Sequence, residues 1–352
     1  MAMQLDDYRL LGRSGLRVSP LALGTMTFGV QQSWGCDFAE AEKILGLYAE
    51  RGGNSIDTAN FYANGESERV VGKLVRNRRN RFVIATKYSL MMNPGDPNAC
   101  GNHRKNMMQS VEESLKRLET DHIDLLYLHA WDALTPVDEI LRAFDDLVRS
   151  GKVQYIGLSN TPAWQASRMQ AIAELRGWSP LAALQISYSL AERSGERDLL
   201  PMAHEMGLGV LPWSPLAGGV LSGKYQQKDL TSGAEPSKAS ARKDMNVSSG
   251  RLSDHSLVIA DAVREVAEEM DCTSAQVALA WTLLNPAVAS PVLGIRTLAQ
   301  LQDNLGALDV NFNADQIAQL DTASKIDLGV PHTMLAADVM NKMFGGVKVA
   351  KR

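Results

Sequence analysis

Cysteine is scarce. Cys36, Cys100 and Cys272 are the three in 352 residues, and no two form a C-x-x-C pair. That spacing supports neither a disulfide framework nor a zinc site, so reduced thiols in a cytosolic protein are expected. Long apolar runs are missing too: none approaches the roughly 18 residues of a spanning helix. The opening MAMQLDDYRLLGRSG has no charged-then-apolar signal layout. A soluble, cytoplasmic chain with no membrane contact is expected. Charge is balanced, with 36 Lys and Arg against 40 Asp and Glu, a net of −4. Non-specific nucleic-acid binding needs a basic face, and no such excess is present. The densest basic stretch, RNRRNR at 76–81, reads as a solvated helix end and turn. The histidines 103, 122, 129, 204, 255 and 332 show no H-E-x-x-H or paired spacing, so no metal is expected.

What is present is a repeating pattern of short apolar run, turn and amphipathic helix. Hydrophobic residues are 45 % and charged ones 22 %, an ordinary globular balance. The runs are LALGT (21–25), SIDTA (55–59), FVIATK (82–87), IDLLYLH (123–129), VQYIGLSN (153–160), LQISYS (184–189), GVLPWS (209–214) and ASPVLG (289–294). Each is mostly apolar without strict alternation, as in strands buried on both faces of a parallel sheet. Between them, 38–51 places Ala41, Ile44, Leu45 and Tyr48 on one helical face. Likewise 103–118 aligns Met107, Val111, Ser114, Leu115 and Leu118. Thr161-Pro162 reads as an N-cap followed by Pro in the first turn. Thr273-x-x-Gln276 and Thr297-x-x-Gln300 fit capping boxes.

Eight such units predict a (β/α)8 barrel. An open doubly wound sheet is the alternative, but no G-x-G-x-x-G comes after the first run. The barrel is expected to be one domain over 1–352, with a core at about 9–325. Three segments fall outside the eight units. Residues 8–19 predict a hairpin able to plug one barrel end. Residues 226–254 form a long loop rich in Ser, Lys, Gly and Ala, either functional or disordered. The tail 326–352 carries apolar LAADVMNKMF, which could fold over one face or mediate homo-oligomer formation; a monomer is the default.

Barrel chemistry sits at the carboxyl ends of the strands. There stand Asp57 with Tyr62 in the next turn, then Lys87, His129, Ser159-Asn160, Gln185, Trp213-Ser214 and Arg296. A Lys in an apolar strand needs a partner, and Asp57 is one strand away. A cation beside Tyr62 favours phenolate and should lower its pKa, making it a general acid near neutrality. His129 could donate to the same developing oxyanion. That equipment reduces a carbonyl. No side chain supplies hydride, so a nicotinamide cofactor is implied. Phe28, Trp34, Tyr88 and Trp131, in strand-end loops, are expected to form an apolar substrate pocket. GGVLSGKY at 218–225 has phosphate-loop spacing, but Tyr225 stands where that motif needs Ser or Thr.

LGTMTFG (23–29), DTANFYANGESE (57–68), IDLLYLH, IGLSN (156–160), PWSPLAGG (212–219) and VLGIRTLAQLQDN (292–304) together resemble the aldo-keto reductase superfamily, in consistent order over roughly 9–325. Within it, PWSPLAGG and the subsequent GKY are similar to bacterial general reductases and the β subunits of voltage-gated potassium channels. The resemblance implies a barrel binding NADP(H) in extended form, with a tetrad of Asp57, Tyr62, Lys87 and His129. It implies that Ser159, Asn160 and Gln185 hold the carboxamide and Trp213 stacks on the nicotinamide. Ser214, Leu216, Gly218 and Lys224 would border the pyrophosphate, with the long loop as a clamp. Gly294, Arg296, Gln300, Asp303 and Asn304 would surround the adenosine end. Many members start this last motif with Lys-Ser, where this chain has Gly294-Ile295; Arg296 still suits a 2′-phosphate.

The activity so implied is NADPH-dependent reduction of an aldehyde or ketone, reversible. The alternative is a regulatory protein that senses NADP(H) with weak turnover, like the channel subunits. A metal-dependent barrel hydrolase would need ligand clusters absent from the sequence. A keto sugar and an aromatic aldehyde are equally open as the small-molecule substrate.

Overall fold

The computed structural model describes residues 3–30, 35–230, 241–335 and 337–347. The chain enters through a short antiparallel hairpin, β1 (Arg9–Leu10) and β2 (Arg17–Val18). Eight parallel strands come next: β3 (Ala22–Gly24), β4 (Ser55–Asp57), β5 (Val83–Tyr88), β6 (Ile123–Leu128), β7 (Val153–Ser159), β8 (Leu181–Ser187), β9 (Gly209–Trp213) and β10 (Val292–Gly294). They lie in the order β10-β3-β4-β5-β6-β7-β8-β9. The ring nearly closes where Val210 N–H donates to Ala287 O at 2.9 Å and Ala289 N–H donates to Val210 O at 2.8 Å. This is a (β/α)8 barrel, and all eight apolar runs supply its strands.

Side chains alternate in and out along each strand. In β5, Val83 and Ala85 belong to the barrel interior, and Ile84 and Tyr88 to the layer between strands and helices. Lys87 continues the inward set. In β6, Leu125 and Tyr127 face in while Leu126 and Leu128 face out. The interior also takes Leu11 and Val18 from the hairpin, so the hairpin plugs the amino-terminal end. Gly12 makes this possible. Its φ is +59°, and a Cβ there would stand 2.7 Å from Gly209 N and collide with Gly207 O.

The helices are α1 (Phe38–Glu50), α2 (Glu66–Val75), α3 (Arg104–Leu118), α4 (Val137–Arg149), α5 (Ala163–Arg176), α6 (Leu199–Met206), α7 (Ala241–Ser248), α8 (Asp254–Glu269), α9 (Ser274–Thr282), α10 (Leu298–Leu305), α11 (Ala314–Ala323) and α12 (Ala337–Phe344). Helix α1 starts on Asp37, which accepts from Glu40 N, and buries Ala41, Ile44, Leu45 and Tyr48. Helix α3 is capped by His103 Nδ1, which accepts from Asn106 N at 3.2 Å. Thr273 and Gln276 close a reciprocal box at α9.

Two expected caps differ. Pro162 itself stands at the N-cap of α5 with extended backbone, and the Thr161 hydroxyl turns back to Ser159 O at 3.0 Å. Thr297 accepts from Gln300 N, but Gln300 Oε1 takes Arg296 N–H at 2.9 Å, so no box closes at α10.

RNRRNR forms a turn whose Arg79 pairs with Asp124 at 2.7 Å, at the start of β6 and far from the site. The long loop contains α7; its residues 231–240 lie outside the described ones. In the tail, α12 leaves Met343 and Phe344 exposed. Among the described residues no helix is long and apolar enough to cross a membrane.

Candidate active site

Strand register sets the polar ends side by side. Asp57 pairs with Gly24 and Ala85, Lys87 with Tyr127, and Ser159 with Gln185. Inward side chains at these ends reach one cavity of about 750 Å³ at the carboxyl rim.

Lys87 is fully buried at its floor. Its Nζ donates to Asp57 Oδ1 at 2.5 Å, to Thr58 O at 2.8 Å and to the Tyr62 hydroxyl at 3.2 Å. These are three acceptors for three N–H groups, so the ammonium is fully satisfied. Burial opposes its charge, but Asp57 and the Tyr62 hydroxyl outweigh that and hold the Lys87 pKa above its usual value. The other oxygen of Asp57 accepts from Gln185 Nε2 at 2.7 Å.

Tyr62 departs from expectation. Burial raises its pKa and outweighs Lys87, which lowers it; Asp57 adds a further rise. Much of the ammonium's field is offset by the carboxylate beside it, so the phenol stays protonated at neutral pH. The protonated phenol accepts a hydrogen bond from the Lys87 ammonium.

His129 packs edge-on against Tyr62, with ring centres 5.8 Å apart. Burial, then repulsion from Lys87, push its imidazole down to about 3, so it is neutral. Its Nδ1 is buried without a hydrogen-bond partner among the described residues. A bare acceptor is tolerated there better than a stranded N–H. The ring proton accordingly belongs on Nε2, which is left for the cavity.

Around the cavity stand Ser159, Asn160, Gln185, Trp213, Ser214, Leu216, Gly218, Lys224, Gly294, Arg296, Gln300, Asp303 and Asn304. Asn160 is left-handed at φ 46° and fastens two walls together. Its amide donates to His129 O at 2.9 Å and accepts from Trp213 Nε1 at 3.2 Å. Ser214 is left-handed too, at φ 52°. Such residues need surroundings that over-determine them, and they cluster at functional sites. GGVLSGKY is no phosphate loop of the strand–helix kind: Ala217–Ser222 is a run of 3-10 turns.

Arg242, missed in the sequence, comes to the cavity on α7. Asn246 Nδ2 docks that helix by donating to Gly218 O at 3.1 Å and Tyr225 Oη at 3.3 Å. Burial, then Arg242 and Arg296, lower the Lys224 pKa. Burial, then Arg251, lower that of Arg242. Lys224, Arg242 and Arg296 thus lie together at one end of the cavity. Met26 and Thr27 were missed as well, although the strand-end rule applied to β3 points to them.

Among the described residues the expected aromatic pocket is not assembled. Tyr88 faces outward, edge-on to Phe144 at 6.0 Å, with its hydroxyl on Asn102 O. Phe28 is buried in the core, and Trp131 is half-buried against it; neither lines the cavity. Trp34 lies outside the described residues. The apolar walls come instead from Met26, Trp213, Pro215 and Leu216. Among the described residues no group of three His, Cys, Asp or Glu could hold a metal.

Comparison with known proteins finds a family and several relatives. Residues 20–325 match the family model described as Aldo/keto reductase family. A norsolorinic acid reductase of Aspergillus flavus is 36 % identical over 94 % of this chain and 84 % of its own. An uncharacterised oxidoreductase of Bacillus subtilis is 40 % identical over 90 % of this chain and 95 % of its own. A putative aryl-alcohol dehydrogenase of Saccharomyces cerevisiae is 32 % identical over 95 % and 91 %.

Proposed function

Because the chain belongs to the aldo/keto reductase family, we propose that it reduces an aryl aldehyde or ketone to the alcohol with NADPH. The reverse oxidation would use the same groups. The observation that carries this is the Lys87 ammonium held between Asp57 and the Tyr62 hydroxyl at the floor of the cavity. The aryl class is suggested by the relative named for aryl alcohols and by the walls of Met26, Trp213 and Leu216.

The residues fit a dinucleotide. With Gln185 Nε2 committed to Asp57, its Oε1 remains for the carboxamide, beside the Ser159 hydroxyl. Trp213 offers an indole face. Ser214, Leu216 and Gly218 would border the pyrophosphate, and Gly294, Gln300, Asp303 and Asn304 the adenosine. Lys224, Arg242 and Arg296 suit a 2′-phosphate. When bound, the nicotinamide supplies the hydride that no side chain can. Tyr62 gives its proton to the carbonyl oxygen, and its phenolate is left beside Lys87. His129 donates from Nε2 to the same oxygen, and Asp57 keeps Lys87 charged and in place.

The test is NADPH consumption with an aryl aldehyde, with alcohol formed one for one. Arg296→Ala is expected to lower kcat/KM for NADPH roughly 10–100-fold, the worth of one hydrogen bond to a charged group, and to leave NADH nearly unchanged. An equal fall with both cofactors would contradict the assignment of Arg296.

A further inference from the structure

Beneath the turn that carries Tyr62 lies a buried ion pair that the chemistry above does not use. Between Tyr62 and α2, Ala63, Asn64 and Gly65 are successively left-handed, with φ of 46°, 52° and 81°. Two of the three carry a Cβ, so the turn is strained and persists only where its surroundings hold it. On one side it rests on Gly29, itself at φ 116°; a Cβ there would lie 3.3 Å from Glu66 Cγ and 3.5 Å from Ala63 Cβ. On the other side the Arg117 stem crosses under Gly65. A Cβ on Gly65 would lie 2.7 Å from Arg117 Cδ and 2.9 Å from its Nε.

Arg117 is held in turn. Its Nε donates to Glu68 Oε2 at 2.6 Å, and Glu68 is wholly buried. The other Glu68 oxygen accepts from the Thr86 hydroxyl at 2.6 Å. Thr86 adjoins Lys87 on β5, and Glu68 lies in the first turn of α2. One carboxylate therefore ties the helix behind Tyr62, the strand behind Lys87 and the arginine under the turn. A buried pair adds little stability over apolar residues of the same volume, so stability alone gives no reason for charge at this place.

We propose that Glu68 and Arg117 are positioning residues, which hold the strained turn so that the Tyr62 hydroxyl stays within reach of Lys87. This rests on Tyr62 being the acid. Neither residue lines the cavity, so cofactor and substrate binding should survive their alteration.

The test compares Arg117→Met, Arg117→Lys and Thr86→Val with the wild-type chain and with Tyr62→Phe. Turnover, NADPH binding and amide exchange are read together. In Arg117→Met, kcat should fall roughly 10–100-fold, since a small misplacement costs that much, with KM and NADPH binding within about twofold. Amides of 62–66 should exchange at least about tenfold faster, while those of 123–128 stay protected. Arg117→Lys should recover part of both effects. If Arg117→Met fails to fold, Thr86→Val reads the same effects several-fold smaller. Wild-type kcat with unchanged exchange at 62–66 in the folded variants would overturn the proposal. Normal turnover in Tyr62→Phe would sink the acid assignment instead, and the exchange at 62–66 would still decide whether the pair holds the turn.

Discussion

Replacing Lys87 by Met is expected to cost roughly 3–5 kcal/mol of stability at neutral pH, the usual result of breaking one side of a buried pair. It is expected to cost turnover roughly 10²–10³-fold, the range for removing one group that stabilises charge developing in the transition state. Methionine keeps the apolar stem but removes all three N–H donors. Asp57 Oδ1, Thr58 O and the Tyr62 hydroxyl each lose a partner. Only the Gln185 amide then remains on the carboxylate. Urea unfolding at neutral pH measures the first effect and NADPH consumption the second. The pH dependence has a definite sign. Lys87 is held above its ordinary value of 10.5 in the fold. Its contribution is therefore complete below about 10.5 and is lost only as pH rises through the raised value. Between pH 7 and 9 Lys87 should give no slope.

His129→Leu is expected to lower kcat roughly 10²–10³-fold, the cost of removing one donor from a developing oxyanion. The imidazole sits at about 3 because of burial and the nearby Lys87 charge. A ring that is neutral throughout cannot add a limb near its ordinary 6.5 to the kcat profile, so wild-type kcat should carry none from this residue. Stability behaves differently. The unfolded chain binds a proton at His129 below pH 6.5 and the folded chain does not. Folding therefore weakens as pH falls from 6.5 toward 3, by up to about 1.4 kcal/mol per unit from this site. The leucine variant should lose that acid-side slope, which urea unfolding from pH 7 to 4 measures.

The barrel was legible because its strands are largely buried on both faces and therefore read as mostly apolar runs. Bounds were less so: β8 begins at Leu181 rather than at 184, since Leu181 and Ala182 are as apolar as the rest of the strand. The clustering of Asp57, Tyr62, Lys87 and His129 was legible because Lys87 and His129 are polar residues at the ends of apolar strands, and one barrel rim brings such ends together. The features hidden from the sequence depend on direction and on distant contacts. Tyr88 comes directly after Lys87 on β5 and so points the opposite way, into the helix layer. The Tyr62 pKa turns on how much of the Lys87 field Asp57 offsets, which spacing does not express. Arg242 sits in a stretch with few apolar residues. It reaches the cavity on a helix that Asn246 docks onto Gly218 and Tyr225, more than 20 residues earlier.

Tyr62 is the proton donor of the proposed reaction, and single-turnover oxidation of bound NADPH by an aryl aldehyde tests that role most directly. Wild-type and Tyr62→Phe chains would be compared after the NADPH affinity of each has been measured. The expected result is equal affinity, within about twofold, with the single-turnover rate lower by roughly 10²–10⁴-fold in the phenylalanine variant. Equal rates in both chains would remove Tyr62 from the chemistry. Tight NADPH binding with no oxidation by either chain, over a broad set of carbonyl compounds, would contradict the reductase and favour a protein that senses the cofactor.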